Sequence, residues 1–157
     1  MTPPVLSMYR RLVRWPGGRW LFARAVCLRV PYFGTIGPQF VVLEPGRCEA
    51  RIADRRRVHN HLGTVHAIAL CNLAELCAGM LSEVSLPPGM RWIPKGMTVH
   101  YLKKARGTMH AVATPDIEIV QSNSGYDLPI TVPVRDPSGA EVFRAHITMW
   151  LTPRGEN

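Results

Sequence analysis

The chain has 157 residues, a length suited to one domain with a real hydrophobic core. Hydrophobic residues make up 46% and charged residues 19%, which describes a globular chain and excludes a disordered one. The formal net charge of +8 points to anionic partners such as nucleic acid, anionic lipid or phosphorylated small molecules, although an arginine-favouring composition accounts for it equally well.

The opening segment has no acidic residue before Glu44, while Arg10, Arg11, Arg14, Arg19, Arg24 and Arg29 are spread through it. Apolar residues recur at three- and four-residue spacings over 5–15 and 19–30, which predicts two short helices split at Pro16-Gly17-Gly18. An organelle-targeting segment, a membrane-surface helix and a helical preface packed on the main domain all fit this pattern. Trp20, Phe22, Tyr32 and Phe33 favour the packed preface, and Arg24 and Arg29 interrupt the apolar region in a way a secretory signal does not. The expected division is a helical preface over 1–37 and the main domain over 38–157.

After Gly37-Pro38, residues 39–44 and 48–54 read as two strands around a Pro45-Gly46 turn. Arg55-Arg56-Arg57 follows, a solvated run by default. From Thr64 to about Val84 the pattern predicts a helix apolar on nearly every side, which must be covered all round. Leu86-Pro87-Pro88-Gly89 ends it. This run carries Asn72 and Glu75 and the longest apolar stretches are short, so no transmembrane helix is expected. Beyond it, Met97, Val99 and Tyr101 alternate, and 108–113 with 117–120 reads as one long strand disturbed at Pro115. A loop is expected over 122–127, a strand at Ile130, Val132 and Val134, and a turn at Asp136-Pro137-Ser138-Gly139. Phe143, Ala145, Ile147, Met149 and Leu151 then share one face of a last strand. The economical arrangement is α+β, an antiparallel sheet curled around one central helix.

Cys27, Cys48, Cys71 and Cys77 show no metal-binding spacing and read as reduced, small core residues of a cytoplasmic protein. Trp15, Trp20, Trp92 and Trp150 read as packing residues, and His100, His110 and His146 as surface or core-edge groups. No nucleic-acid-binding motif is present, and His59, His61 and His66 lack fixed acidic or cysteine partners, so no metal site is expected.

The chemistry concentrates in Asn60-His61-Leu62-Gly63-Thr64-Val65-His66-Ala67 and in Glu75, the only charge between Val65 and Leu81. A buried, unpaired carboxylate costs several kcal/mol, so one that is kept has a partner or a task. Glu75 lies nine positions after His66, which puts them on opposite sides of one helix and about 13 Å apart along it. One helix does not aim both at one reacting group; two chains paired about a twofold axis do. Structural roles are open for each: Asn60 in a turn, His66 in the helix's first turn, and Glu75 paired with an arginine across a dimer.

Element order and motif together resemble the hotdog fold, and the motif is most similar to that of phenylacetate-pathway-type acyl-CoA thioesterases. Asn60, Leu62, Gly63, His66 and an acidic residue nine positions on, Glu75, match that group's pattern. The tract 95–107 also looks like the strand that follows the helix in these proteins. With the Pro16-Gly17-Gly18 and Pro31-Tyr32-Phe33-Gly34 preface, the whole resembles a poorly characterised bacterial hotdog branch. Two glycines of the pattern are Ala67 and Ile68 here, and its common aspartate is Glu75, a change known among aryl-CoA thioesterases of the same fold.

The resemblance implies a thioesterase acting on acyl-CoA or an acyl-carrier thioester, working as a homodimer or a pair of dimers. No cofactor is expected beyond the coenzyme A carried by the substrate. Glu75 would be base or nucleophile, Asn60 would orient the attacking oxygen or the carbonyl, and His66 would steady the loop or assist the leaving group. Ala67, with Gly63, His61 and Ile68 around it, would bind substrate and stabilise the oxyanion at the helix start. Ile68 narrows the space beside it. A (3R)-hydroxyacyl dehydratase or enoyl hydratase using His61 with Glu75 is an alternative, as is a non-catalytic dimer that binds an acyl ligand. Contact of Arg55–Arg57 with coenzyme A phosphates is a second reading of that run.

Overall fold

The computed structural model describes residues 2–155, which form three helices and six strands. In chain order these are α1 (Pro4–Leu12), α2 (Gly18–Arg29), β1 (Gln39–Glu44), β2 (Arg47–Ile52), α3 (Ala67–Ser85), β3 (Met90–Tyr101), β4 (Met109–Pro115), β5 (Tyr126–Arg135) and β6 (Glu141–Pro153). Short 3-10 turns lie at Pro31–Thr35 and Arg56–Val58. All strand pairs are antiparallel, in the sheet order β1-β2-β4-β5-β6-β3.

Alternation in β2, β4, β5 and β6 puts one set of side chains against α3. Cys48, Ala50 and Ile52, then Met109, Ala111 and Ala113, then Leu128 to Val134, and finally Phe143 to Leu151 are buried at every second position. Alanines at the middle of the sheet leave room for a helix to approach, and α3 fills it with buried Leu73, Leu76, Cys77 and Leu81. This is the curved sheet wrapped around a central helix that defines the hotdog fold. By length and composition α3 suits a bilayer, but it is the core helix, with 72% of its apolar window buried.

The two preface helices lie over this layer. Leu6 and Tyr9 of α1 and Phe22, Ala23 and Val26 of α2 are buried. The Phe22 ring meets Tyr9 and Phe40 edge-on, each at a centroid distance of 5.0 Å. Tyr9 Oη donates to the Val41 carbonyl at 3.2 Å.

Several sequence expectations are corrected. Helix α3 begins at Ala67, because Thr64 and Val65 are held extended: Val65 pairs with His59, and its N–H donates to the Ala105 carbonyl. Glu75 is exposed: with Ile68 and Glu83 it is one of the isolated open positions on α3, while Asn72, between Ile68 and Glu75, is covered by the turn at Tyr32 and Thr35. Residues 117–120 form no strand. Pro115 ends β4, and the Asp116 N–H turns back to the Pro129 carbonyl at 2.9 Å. Strand β5 starts at Tyr126, inside the expected loop. Trp15 and Trp20 are not packing residues; they are 71% and 66% exposed. The four cysteines are free, three of them buried and Cys27 half-buried. Burial, with Cys77 and Glu49 nearby, pushes the Cys48 thiol well above its ordinary pKa.

Candidate functional site at the start of the central helix

A tight loop delivers the chain to α3. The Asn60 N–H donates to the Thr64 carbonyl at 2.9 Å, and the Gly63 N–H donates to the Asn60 carbonyl at 3.1 Å. Gly63 has φ +69°, a left-handed conformation that glycine adopts without steric cost. Asn60 Oδ1 accepts the N–H groups of Leu62 at 3.0 Å and Thr64 at 3.2 Å, while Asn60 Nδ2 donates to Thr64 Oγ1 at 2.9 Å. The amide oxygen is therefore occupied by the loop, and Nδ2 keeps one further N–H to offer.

His66 caps the helix. Its Nδ1 accepts the Ile68 N–H at 3.0 Å, and its carbonyl accepts the N–H groups of Ala69 and Leu70. A neutral ring accepting at Nδ1 carries its proton on Nε2. The Ala67 N–H, by contrast, reaches no acceptor among the described residues. It sits at the positive end of the α3 dipole.

Three separate cavities are lined in part by this helix or the loop that leads into it. Asn60 and Ala67 line a groove of about 250 Å³ with Leu62, Tyr101, Lys103 and Lys104. His66 and Ile68 line a cleft of about 180 Å³ with Tyr32, Arg57, His59 and Asn72. Glu75 lies in a larger cavity of about 440 Å³, with Arg29, Phe33, Glu83 and Trp92. Within one chain, then, Asn60 and Ala67 come together, His66 lies next to them in a second cleft, and Glu75 stands apart. Its carboxylate makes no hydrogen bond or ion pair among the described residues. His61 and Gly63 are exposed on the turn. No group of three metal-ligating side chains converges among the described residues.

Two supporting residues were not singled out from sequence. Thr64, 3% exposed, is the hydroxyl on which the Asn60 amide closes. Asp54 contacts the His59 ring and accepts the Gly107 N–H at 2.6 Å, pinning the loop's entry to the segment after β3. Burial works to raise the Asp54 pKa, but the His59 ring, the Gly107 N–H and the charges of His59 and Arg106 outweigh it and hold the carboxyl below its ordinary value. Asp54 lies next to the arginine run, and its spacing to His59 was the available signal.

The family described as "Domain of unknown function (DUF4442)" matches residues 18–151. The chain belongs to this family. Among curated proteins, none matches it. Of solved structures, the structural-genomics target APC5556 is 42% identical, with 96% of this chain and 99% of that one covered and a TM-score of 0.82. Protein PA5026 of Pseudomonas aeruginosa, described as of unknown function and a probable thioesterase, is 26% identical with a TM-score of 0.72, over 84% of this chain and 94% of that one. Thioesterase HI1161 of Haemophilus influenzae is 16% identical with a TM-score of 0.68, over 80% and 85%. At that identity it shows the shared fold. This DUF4442 chain therefore has the hotdog fold of thioesterase-family proteins.

Proposed function

We propose that this DUF4442 protein is an acyl-CoA thioesterase with each active site shared between two chains of a dimer. The observation that carries the reading is the Ala67 N–H, which meets no acceptor among the described residues, at the positive end of α3 beside Asn60, on a helix whose Glu75 lines a different cavity. The thioester oxygen would accept the Ala67 N–H, and the remaining Asn60 Nδ2–H would orient it. Glu75 of the partner subunit would take a proton from water as the hydroxyl adds to the carbonyl carbon. Collapse of the adduct breaks the C–S bond, and the departing thiolate takes the proton. Attack by the carboxylate itself, through an anhydride, uses the same groups. No cofactor enters; coenzyme A is part of the substrate.

The dimer is supported by the sheet edge. β3 ends the strand order with an unpaired edge, and Ile93, Met97 and Tyr101 along it are 58%, 40% and 58% exposed. In the proposed dimer two β3 edges pair, which would cover these groups and bring Glu75 of the partner subunit toward the start of α3. Free thiols fit a cytoplasmic setting.

One observation favours a second reading, a non-catalytic acyl-ligand binder: His66 consumes the Ile68 N–H, and the exposed Ile68 side chain stands at the same helix start. Thiol release from a panel of acyl-CoA substrates separates the two. Hydrolysis is expected, reduced about a hundredfold or more in Glu75→Gln and clearly reduced in Asn60→Ala. Equal rates in wild type and Glu75→Gln defeat the mechanism, and saturable acyl-CoA binding without turnover selects the binder. Enoyl formation from 3-hydroxyacyl substrates, followed by ultraviolet absorbance, would select the dehydratase.

A further inference from the structure

Between α2 and the start of β1 lies a groove of about 250 Å³ whose lining includes Trp20, Arg24, Cys27, Gln39, Arg55 and Arg57, with no carboxylate among the described residues. None of the three arginines forms an ion pair among the described residues. Three guanidinium groups that share a concave surface without counter-ions repel one another, and an anion in the groove relieves that cost. The field is reinforced by the preface, which has no acidic residue before Glu44.

Two features make this more than a charged surface. Gly37, at φ +59°, has no side chain because the Arg57 guanidinium occupies that space: a Cβ there would stand 1.8 Å from Arg57 Nη2. The backbone thus makes room for Arg57, which lines both this groove and the cleft holding His59 and His66 at the α3 cap. Trp20, 66% exposed, presents its indole with the Arg24 guanidinium 5.9 Å from the ring centroid. Guanidinium groups bind phosphate oxygens in pairs, and an exposed indole offers a stacking face to a purine.

We propose that this groove holds the phosphorylated adenosine end of a coenzyme A thioester, with Arg24, Arg55 and Arg57 on its phosphates and Trp20 against the adenine. The pantetheine arm then runs past Arg57 toward the start of α3. This assignment rests on the acyl-CoA thioesterase reading and adds to it the place where the carrier is held: a groove lined by three arginines and an indole suits coenzyme A, with adenine and three phosphate groups, and not an acyl-carrier protein, whose arm brings one phosphate and no base.

The test uses the intact protein in two arms. Calorimetric titration with adenosine 3′,5′-bisphosphate, ATP and inorganic phosphate is expected to show the bisphosphate bound most tightly. Its binding should weaken about tenfold in each of Arg24→Gln and Arg57→Gln, weaken in Trp20→Ala, and fall as salt is raised. Unchanged thermal melting of the variants excludes misfolding as the cause. In the second arm, KM is compared for one acyl group on coenzyme A and on pantetheine. The Arg57→Gln penalty should be about tenfold larger on the coenzyme A thioester. Arginine-dependent bisphosphate binding without thioester hydrolysis keeps the groove and overturns the proposed activity. Equal bisphosphate binding by wild type and variants, equal binding of phosphate alone, or equal penalties on both thioesters overturns the groove. Capture by anionic lipid vesicles without bisphosphate binding also overturns it, in favour of a membrane-facing preface.

Discussion

Asp54, Asn60 and His66 show how much of the site is made by single hydrogen bonds. Asn60 and Gly63 were legible as a turn, because an amide that closes on neighbouring N–H groups and a glycine with positive φ are local events. The fate of each N–H at the helix start was not legible, since it depends on where α3 begins, and long-range bonds from Val65 and His66 move that point to Ala67. Asp54 carries a pH prediction at this scale. Its folded pKa lies below the unfolded value near 3.9, so the stability it contributes is present above that value and is lost as pH falls through the folded one. In melting curves taken at decreasing pH, Asp54→Asn should therefore lose less stability than wild type through the acidic range below about 4. A parallel loss in both would show that the carboxyl does not hold the loop.

Among the elements, α2 is informative because its two faces do different things. Phe22, Ala23 and Val26 face inward and are buried, while Trp20, Arg24 and Leu28 lie on the outward side. Mixed three- and four-residue spacing predicted a helix but not this split, because apolar residues occupy both faces. Truncating Phe22 to alanine removes a fully buried ring between Tyr9 and Phe40 and should cost about 3–5 kcal/mol in chemical denaturation. A loss below about 1 kcal/mol would mean that the preface rests on the domain without stabilising it. Strand β4 teaches the converse. Its apolar pattern continues beyond Pro115, yet pairing stops there and Ile117 and Val120 are left about half exposed.

At the scale of the whole molecule, the separation of Glu75 from Asn60 and Ala67 becomes a prediction about assembly. If the proposed shared site is right, mixing Asn60→Ala with Glu75→Gln chains by refolding or co-expression should yield mixed dimers, each with one site containing both native groups. Random pairing makes half of the dimers mixed, so about a quarter of wild-type activity should return. A site contained within one chain would return none. Sedimentation of the wild type should give a dimer, and a charge placed on the β3 edge by Met97→Lys should dissociate it and abolish hydrolysis together.

By itself the sequence determined the order of elements, the turn at 60–63, the α+β class and the nine-position spacing of His66 and Glu75 along one helix. These follow from periodicity, turn residues and the 3.6-residue repeat, all of which act within a few residues along the chain. Tertiary structure decided that Glu75 is exposed, that the Ala67 N–H meets no acceptor among the described residues, and that Arg24, Arg55 and Arg57 share a groove. Each depends on what packs against an element from far away in sequence: the sheet that covers α3 unevenly, the segment after β3 that holds the loop, and Gly37, which leaves space for a guanidinium.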